Sequence, residues 1–224
     1  MADPFSSQPL LLMNAAGPRL QLALLRAGEV LEQTQSGKPV LEALIPAVRE
    51  LLGRHQLGLA SLGGVLFAEG PGSSLALRLA TMTVRTWARL PDHRHWHLFR
   101  FRNLELFAVS LLRAEAATET MVYAPYRRDR LHRCHAKQGP YGYTFTADTV
   151  APEEASEKGG VLFLLGNRSA PAPCARMARE VPLAEGPQLL LETPALIHSC
   201  GEVAPLQVAG AEPVRWSQRR HQAE

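Results

Sequence analysis

The apolar run Leu10 to Ala16 constrains the fold of this chain more than any other stretch. It has too few residues for a helix, and after the turn Ala16-Gly17-Pro18-Arg19 the leucines at 20, 22 and 24 recur with period two. That pattern reads as paired strands joined by a tight reversal built on Gly and Pro. Gly28 introduces a third short strand, Glu29 to Thr34. At Pro39 the period changes: Val40, Leu41, Leu44, Ile45, Val48, Leu51 and Leu52 recur at three- and four-residue intervals, the signature of an amphipathic helix. Pro46 lies inside that pattern and removes one backbone donor, so a kink or an early first turn is expected near it.

The same alternation continues. Gly64 to Ala68 reads as a short buried strand, and Gly70-Pro71-Gly72-Ser73 turns the chain and caps a helix from Ser74 to Leu90. Leu75, Leu79, Met82, Thr86 and Trp87 lie on one side of that helix while Leu77, Val84 and Ala88 line another, so it is expected to bury two fronts. Trp96 to Arg102 alternates as a strand, with Asn103 as N-cap of a helix Leu104 to Glu115. Strands are expected at Thr120–Ala124, Leu131–His135, Tyr141–Phe145 and Val161–Leu165, a loop over Val150–Gly159, and helices near Cys174–Glu180 and Pro194–Val203. Two strand-rich halves, each followed by helices, imply an α/β protein of two similar lobes. The expected division is residues 1–103, completed by about 204–224, and a smaller second lobe over 104–203.

Charge is placed unevenly. The formal net charge is +3, but Arg78 to His135 holds eleven arginines against five acids, and the chain carries 21 arginines to three lysines. The stretch Tyr123 to Arg133 mixes aromatics with Arg127, Arg128, Arg130 and Arg133, a composition that stacks bases and holds phosphates, but one that also suits the solvent face of a half-covered sheet. Met1 to Pro9 carries Asp3 and no basic residue, unlike a secretory signal, and three cysteines without paired spacing argue against a disulfide framework, so a reduced cytoplasmic protein is expected.

Catalytic chemistry is thin. The chain has four aspartates, Asp3, Asp92, Asp129 and Asp148, and only Glu69 stands at a strand end where a nucleotide-binding carboxylate belongs. One carboxylate does not both hold a metal and activate water. His93, His95 and His97 alternate, and His132, Cys134 and His135 cluster, but neither set has the spacing of a known zinc site; a polar loop entering an edge strand explains the first as well. His198 and Cys200, placed on a helix, point apart, which favours a structural cysteine over a nucleophile. Neither metal nor cofactor is expected.

In order along the chain, L-L-L-M-N-A-A-G (10–17), the helix ending A-L-I-P-A-V-R-E-L-L, G-P-G-S-S-L-A-L-R (70–78), F-R-F-R-N-L-E-L-F-A (99–108), Arg127-Arg128 and Pro213-Val214 resemble the TsaB (YeaZ) family. The resemblance implies a two-lobed actin-like, ribonuclease H-like fold. It also implies a role as non-catalytic partner of the paralogue TsaD, in a complex with the ATPase TsaE that makes tRNA threonylcarbamoyladenosine. In that family the first two helices carry the TsaD contact. Here they correspond to Pro39–Arg54 and Ser74–Leu90, with Leu41, Leu44, Ile45, Val48, Leu75, Leu79, Met82 and Thr86 as the interface candidates. An isolated chain could also pair with itself through such a face.

The sequence departs from the family at the phosphate loops. Asn14-Ala15-Ala16 replaces Asp-Thr-Ser after the first strand, and Ser74-Leu75-Ala76 replaces Phe-Thr-Gly after Gly70, Gly72 and Ser73. Alanine supplies neither hydroxyl nor carboxylate, so these loops are expected to have lost any grip on a nucleotide. A displaced nucleotide site on an actin-like ATPase or kinase, and an RNA-binding module over Arg127 to Arg133, remain the alternatives.

Overall fold

The computed structural model describes residues 8–17, 19–127, 129–164, 169–179 and 185–201. The opening hairpins are β1 (Leu10–Asn14), β2 (Leu20–Arg26) and β3 (Glu29–Ser36), followed by helix α1 (Val40–Arg54), which runs through Pro46. Strand β4 (Gly64–Gly70) leads to α2 (Ser74–Trp87), and β5 (His97–Arg102) leads to α3 (Asn103–Ala114). The second set comprises β6 (Glu119–Arg127), β7 (Arg130–Gly139), β8 (Gly142–Val150), α4 (Pro152–Lys158), β9 (Val161–Phe163) and β10 (Ala178–Arg179). The described chain closes with α5 (Gly186–Glu192) and β11 (His198–Ser199).

These strands form two mixed sheets with one topology. The first has the order β11-β5-β4-β1-β2-β3 and the second β10-β9-β6-β7-β8. In each, three antiparallel strands are followed by strands that return parallel to the first of the three: β4 beside β1, and β9 beside β6. This is an α/β fold of two mixed sheets flanked by helices, the class that the alternating periods predict.

Side-chain alternation along the strands assigns every face of both sheets. Leu11, Met13, Val65 and Phe67 point to a core shared with α1 and α2, while Leu10, Leu12, Leu66 and Ala68 point to one shared with α3 and α5. Helix α3 is buried from both sides. Leu106 and Val109 join the first sheet's inner core, and Leu104, Phe107, Ala108, Leu111 and Leu112 join that of the second sheet. Beyond the second sheet, Tyr123, Leu131 and Leu162 pack on Ala155 of α4 and on Cys174. The order of layers is therefore α1/α2, first sheet, α3/α5, second sheet, α4. A glycine is required at Gly64, where φ is +157° and an added Cβ would fall 1.9 Å from the His97 carbonyl oxygen of the adjoining strand.

Several sequence expectations need correction. Val150–Gly159 is not all loop: Pro152 opens α4, Glu153 and Glu154 occupy its first turn, and Glu154 pairs with Lys158 at i,i+4, a combination that supports a short helix despite its polarity. The expected Cys174–Glu180 helix is a 3-10 segment, Ala172–Met177, ending in β10. The expected Pro194–Val203 helix is a 3-10 turn, Pro194–Leu196, leading into β11, while the α-helix lies earlier, at α5. The chain therefore rejoins the first lobe well before residue 204: Leu189, Leu190 and Leu191 lie in its inner core and β11 pairs with β5. Pro213 and Val214 lie outside the described residues.

Candidate functional site

The sequence singles out three regions, and the fold separates them. The loops that follow β1 and β4 meet at one end of the first sheet. Asn14 is buried and its Oδ1 accepts the Ala16 N–H at 3.1 Å, while its Nδ2 donates to Asn103 Oδ1 at 3.1 Å. Asn103, fully buried, donates in turn to the Pro71 carbonyl at 3.4 Å. It stands at the first position of α3 with no capping hydrogen bond from Arg102 before it, so its amide ties two loops together instead of capping the helix as its type predicts. Ser73 fulfils the capping expectation for α2, its Oγ accepting from the Ala76 N–H at 3.5 Å.

The two loops are in close contact. A Cβ at Gly72 would fall 2.3 Å from the Ala16 carbonyl oxygen and 2.5 Å from the Ala16 Cβ, and the Ser73 N–H donates to that same carbonyl at 3.1 Å. Ala15 and Ala16 are themselves core residues. Two backbone donors that a phosphate loop would present, those of Ala16 and Ser73, are thus used inside the protein.

Glu69, the carboxylate noted at a strand end, is also engaged. It is buried and accepts from Arg100 Nη1 at 2.5 Å and Arg102 Nε at 3.2 Å. Arg102 Nη1 reaches Glu105 Oε1 at 3.2 Å, and His198 of β11 lies 3.4 Å from the other Glu105 oxygen. Burial alone would lower the Arg102 pKa, but the Glu105 and Glu69 carboxylates outweigh it and hold the guanidinium protonated more firmly than usual. The alternating arginines of F-R-F-R carried a signal for this network, because charge on a strand between buried phenylalanines needs partners.

The second region is the outer surface of α1 and α2. Here the interface candidates divide. Leu41 is 74% exposed, Ile45 45%, Leu75 75% and Met82 56%, four large apolar side chains on the side of the helices away from the sheet. Thr86 is exposed, its hydroxyl donating to the Met82 carbonyl at 2.8 Å, and Leu79 is half-buried against the core. Leu44 and Val48 are a correction: both are buried in the core under α1, so neither is available to a partner. Their i,i+4 spacing marks an apolar face correctly, but that face belongs to the sheet. On α2, Leu77 and Val84 satisfy the core and only the second front is open.

The third region is the β6–β7 hairpin. Arg127 ends β6, and Arg128 lies outside the described residues. Arg130 donates to the Thr149 carbonyl at 2.6 Å and to its hydroxyl at 2.8 Å. Arg133 grips the Asp148 carboxylate with two nitrogens and reaches Glu154 at 2.9 Å, so it fastens α4 and β8 to β7 and is taken up within the lobe. The histidines diverge as well. His93 stacks on Trp96 with centroids 4.3 Å apart and its Nδ1 lies 2.8 Å from the Trp87 carbonyl; His95 Nε2 lies 2.9 Å from the Leu62 carbonyl. His132 packs on Tyr126, and His135 pairs with Glu119 at 2.5 Å. No cluster of three or more metal-ligating side chains occurs among the described residues. His198 and Cys200 sit at a strand rather than on a helix, and burial pushes the Cys200 thiol up. No helix among the described residues is long and apolar enough to cross a membrane.

No protein-family model and no curated protein matches the sequence. Among solved structures the chain is similar to YeaZ from Pseudomonas aeruginosa, with a TM-score of 0.62 at 20% identity over 82% of this chain and 89% of that one. It is also similar to an uncharacterized protein from Pseudomonas aeruginosa with similarity to peptidase YEAZ, with a TM-score of 0.56 at 19% identity over 70% of this chain and 74% of that one. The chain therefore has a YeaZ-like fold.

Proposed function

We propose that this protein is a TsaB-type, non-catalytic scaffold that stabilises a TsaD-like paralogue in tRNA threonylcarbamoyladenosine modification. The observation that carries the reading is the open apolar face of α1 and α2: Leu41, Ile45, Leu75 and Met82 are bare on a YeaZ-like first lobe. Leucines exposed to that degree on adjacent helices gain by being covered, and a helix surface of a partner is the shape that covers them. The loops at the sheet's end support the same reading from the other side. Ala16 against Gly72, the Asn14–Asn103 bond and the arginines on Glu69 occupy the space and the donors that a triphosphate and its metal need.

In this reading the TsaE-like ATPase and the tRNA are engaged through the partner rather than by this chain. Co-expression with the TsaD-like paralogue tests it. A stable complex is expected with the wild-type chain, and none with Leu41→Asp/Met82→Asp, whose folded state should match wild type by circular dichroism because both side chains are already exposed. A wild-type chain that elutes alone, with no affinity for the paralogue, overturns the proposal.

A further inference from the structure

A strand at the edge of a sheet leaves a row of N–H and C=O groups unpaired, and proteins blunt such edges with short strands, charges or bulges. Among the described residues, three of the four sheet edges are blunted in this way. Strands β10 and β11 are two residues long each, and β3 carries Glu29 and Glu32 and meets β2 through a register shift at Leu24/Leu25. Strand β8 is the exception. It is nine residues long, pairs with β7 without a register shift, contains no proline, and carries one charge, Asp148, which Arg133 holds. Its hairpin closes at Gly139–Gly142 over the two-residue loop Pro140-Tyr141, so Gly142 exchanges hydrogen bonds with β7. By the alternation of an antiparallel ladder, Thr144, Thr146 and Asp148 bond inward as well, and the backbone groups of Tyr143, Phe145 and Ala147 point away from the sheet. Thr149 points the same way, but its carbonyl takes Arg130 Nη2 at 2.6 Å. No described strand lies beyond β8.

We propose that this edge pairs with the β8 edge of a second copy of the chain, antiparallel about a two-fold axis at Phe145, so that the two second sheets become one. In that register Tyr143 stands opposite Ala147 of the second copy and Phe145 opposite Phe145. Each such pair exchanges two backbone hydrogen bonds, which satisfies every outward group of the stretch. The side chains are self-complementary too. On the α3 side Tyr143 and Phe145 are only partly buried, and the exposed Ala147 is small enough to leave room for the opposite tyrosine, while the two phenylalanines cover each other at the axis. On the other side the exposed Thr144 meets Thr146, a favourable cross-strand pair. Charge does not oppose the contact, because Asp148 falls opposite Gly142 rather than its own copy. Tyr141, 102% exposed at the turn, is carried to the end of the opposite strand, where it gains cover. This symmetry about Phe145 is what a two-fold contact requires, and it favours a second copy over an unrelated strand. The edge lies on the second lobe, apart from the outer face of α1 and α2, and the inference does not depend on the scaffold reading.

One short strand per copy buries less than the roughly 1,200 Å² at which stable interfaces begin, so the expected dimer is weak. Sedimentation velocity of the full chain should show monomer at about 5 µM and a growing share of dimer toward about 500 µM. Thr144→Glu/Thr146→Glu sets glutamate against glutamate at both outer pairs, whereas Thr144→Glu/Thr146→Lys sets glutamate against lysine at both. The second variant should self-associate about ten-fold or more tightly than the first, and both should keep the wild-type fold by circular dichroism, since both positions are exposed. Ala147→Pro removes one outward N–H without touching the β7 ladder and should weaken the dimer as well. Equal self-association of the two threonine variants overturns the proposal, as does a dimer that disappears in Leu41→Asp/Met82→Asp. A wild-type chain that stays monomeric throughout also overturns it. Hydrogen exchange at the Tyr143, Phe145 and Ala147 amides then shows whether the edge is covered within the chain or left open. Neither result bears on binding to the TsaD-like paralogue, which is measured separately.

Discussion

The two sheets follow one strand order, three antiparallel strands and then parallel strands returning over helices, yet the helices on their outer faces differ in length and in what they show to solvent. The first sheet is covered by α1 and α2, fifteen and fourteen residues long, which bury one apolar face and leave Leu41, Ile45, Leu75 and Met82 bare. The second is covered by α4, seven residues long, which buries Pro152 and Ala155 and exposes Glu153, Ser156, Glu157 and Lys158. Covering a sheet of this topology thus does not require apolar residues on both sides of a helix. The surplus on the first lobe is a surface property added to the fold, and in the proposed scaffold reading it is the surface that meets the partner.

The ends of corresponding strands differ too. At the end of β1 the chain enters the buried Asn14–Asn103–Pro71 network, whereas at the start of β7 Arg130 makes an exposed contact with Thr149. Repetition of a topology has therefore not repeated the chemistry at its loops.

The largest expected effect divides the two sides of α1. Leu44→Ala removes a side chain fully buried between helix and sheet and should cost about 2–5 kcal/mol of unfolding free energy. Leu41→Ala, three residues earlier, should change stability by less than about 0.5 kcal/mol in the isolated chain while weakening its complex. Urea unfolding of both variants checks this. A cost above 2 kcal/mol for Leu41→Ala would show that the bare face is part of the monomer's own packing. Next in size is the loop network. Asn103→Ala leaves the buried Asn14 amide without its partner and should cost about 1–3 kcal/mol, while Arg130→Ala on the second lobe should cost less than about 1 kcal/mol. Equal costs would mean that the strand ends of the two lobes are equivalent after all.

The repeated α/β scheme was legible because each strand and long helix carries its own period: Leu10 to Leu25 and Val40 to Leu52 need no distant partner to declare themselves. Four features were not. Leu44 and Leu41 both belong to the apolar series of α1, and periodicity does not say which edge of a wide stripe meets the sheet; only the placement of β2 and α2 settles that Leu44 is inside. Asn103 looked like a cap because caps are local, whereas its true partner is 89 positions away. Helix α4 is too short and polar to show amphipathic periodicity, and its support lies in a terminal proline and one i,i+4 pair. The region near residue 198 suggested a helix, but its place is decided by pairing with β5, a contact across about a hundred residues that no local pattern encodes.

The smallest effect concerns the thiols and compares the lobes by how completely each has dried its core. Cys134 lies on the inner face of the second sheet against α3, 1% exposed, and burial pushes its pKa up to about 12, with Glu105 adding to the shift and Arg102 opposing it. Cys200, at the edge of the first sheet, is only half-buried; its pKa is raised for the same first reason, and Arg100 works against the rise. An unfolded chain releases a thiol proton near pH 8.5, so between that value and about 12 the folded state binds the proton that the unfolded state has lost. Stability contributed by the buried neutral thiol is therefore present below pH 8.5 and declines as pH rises, at up to about 1.4 kcal/mol per pH unit for Cys134. Urea midpoints at pH 8, 9 and 10 should fall more shallowly in Cys134→Ala than in wild type, and Cys200→Ala should flatten the slope less. If the two variants flatten it equally, the inner face of the second sheet is no drier than the edge of the first, and the layer order that places α3 between two sealed cores is wrong at this position.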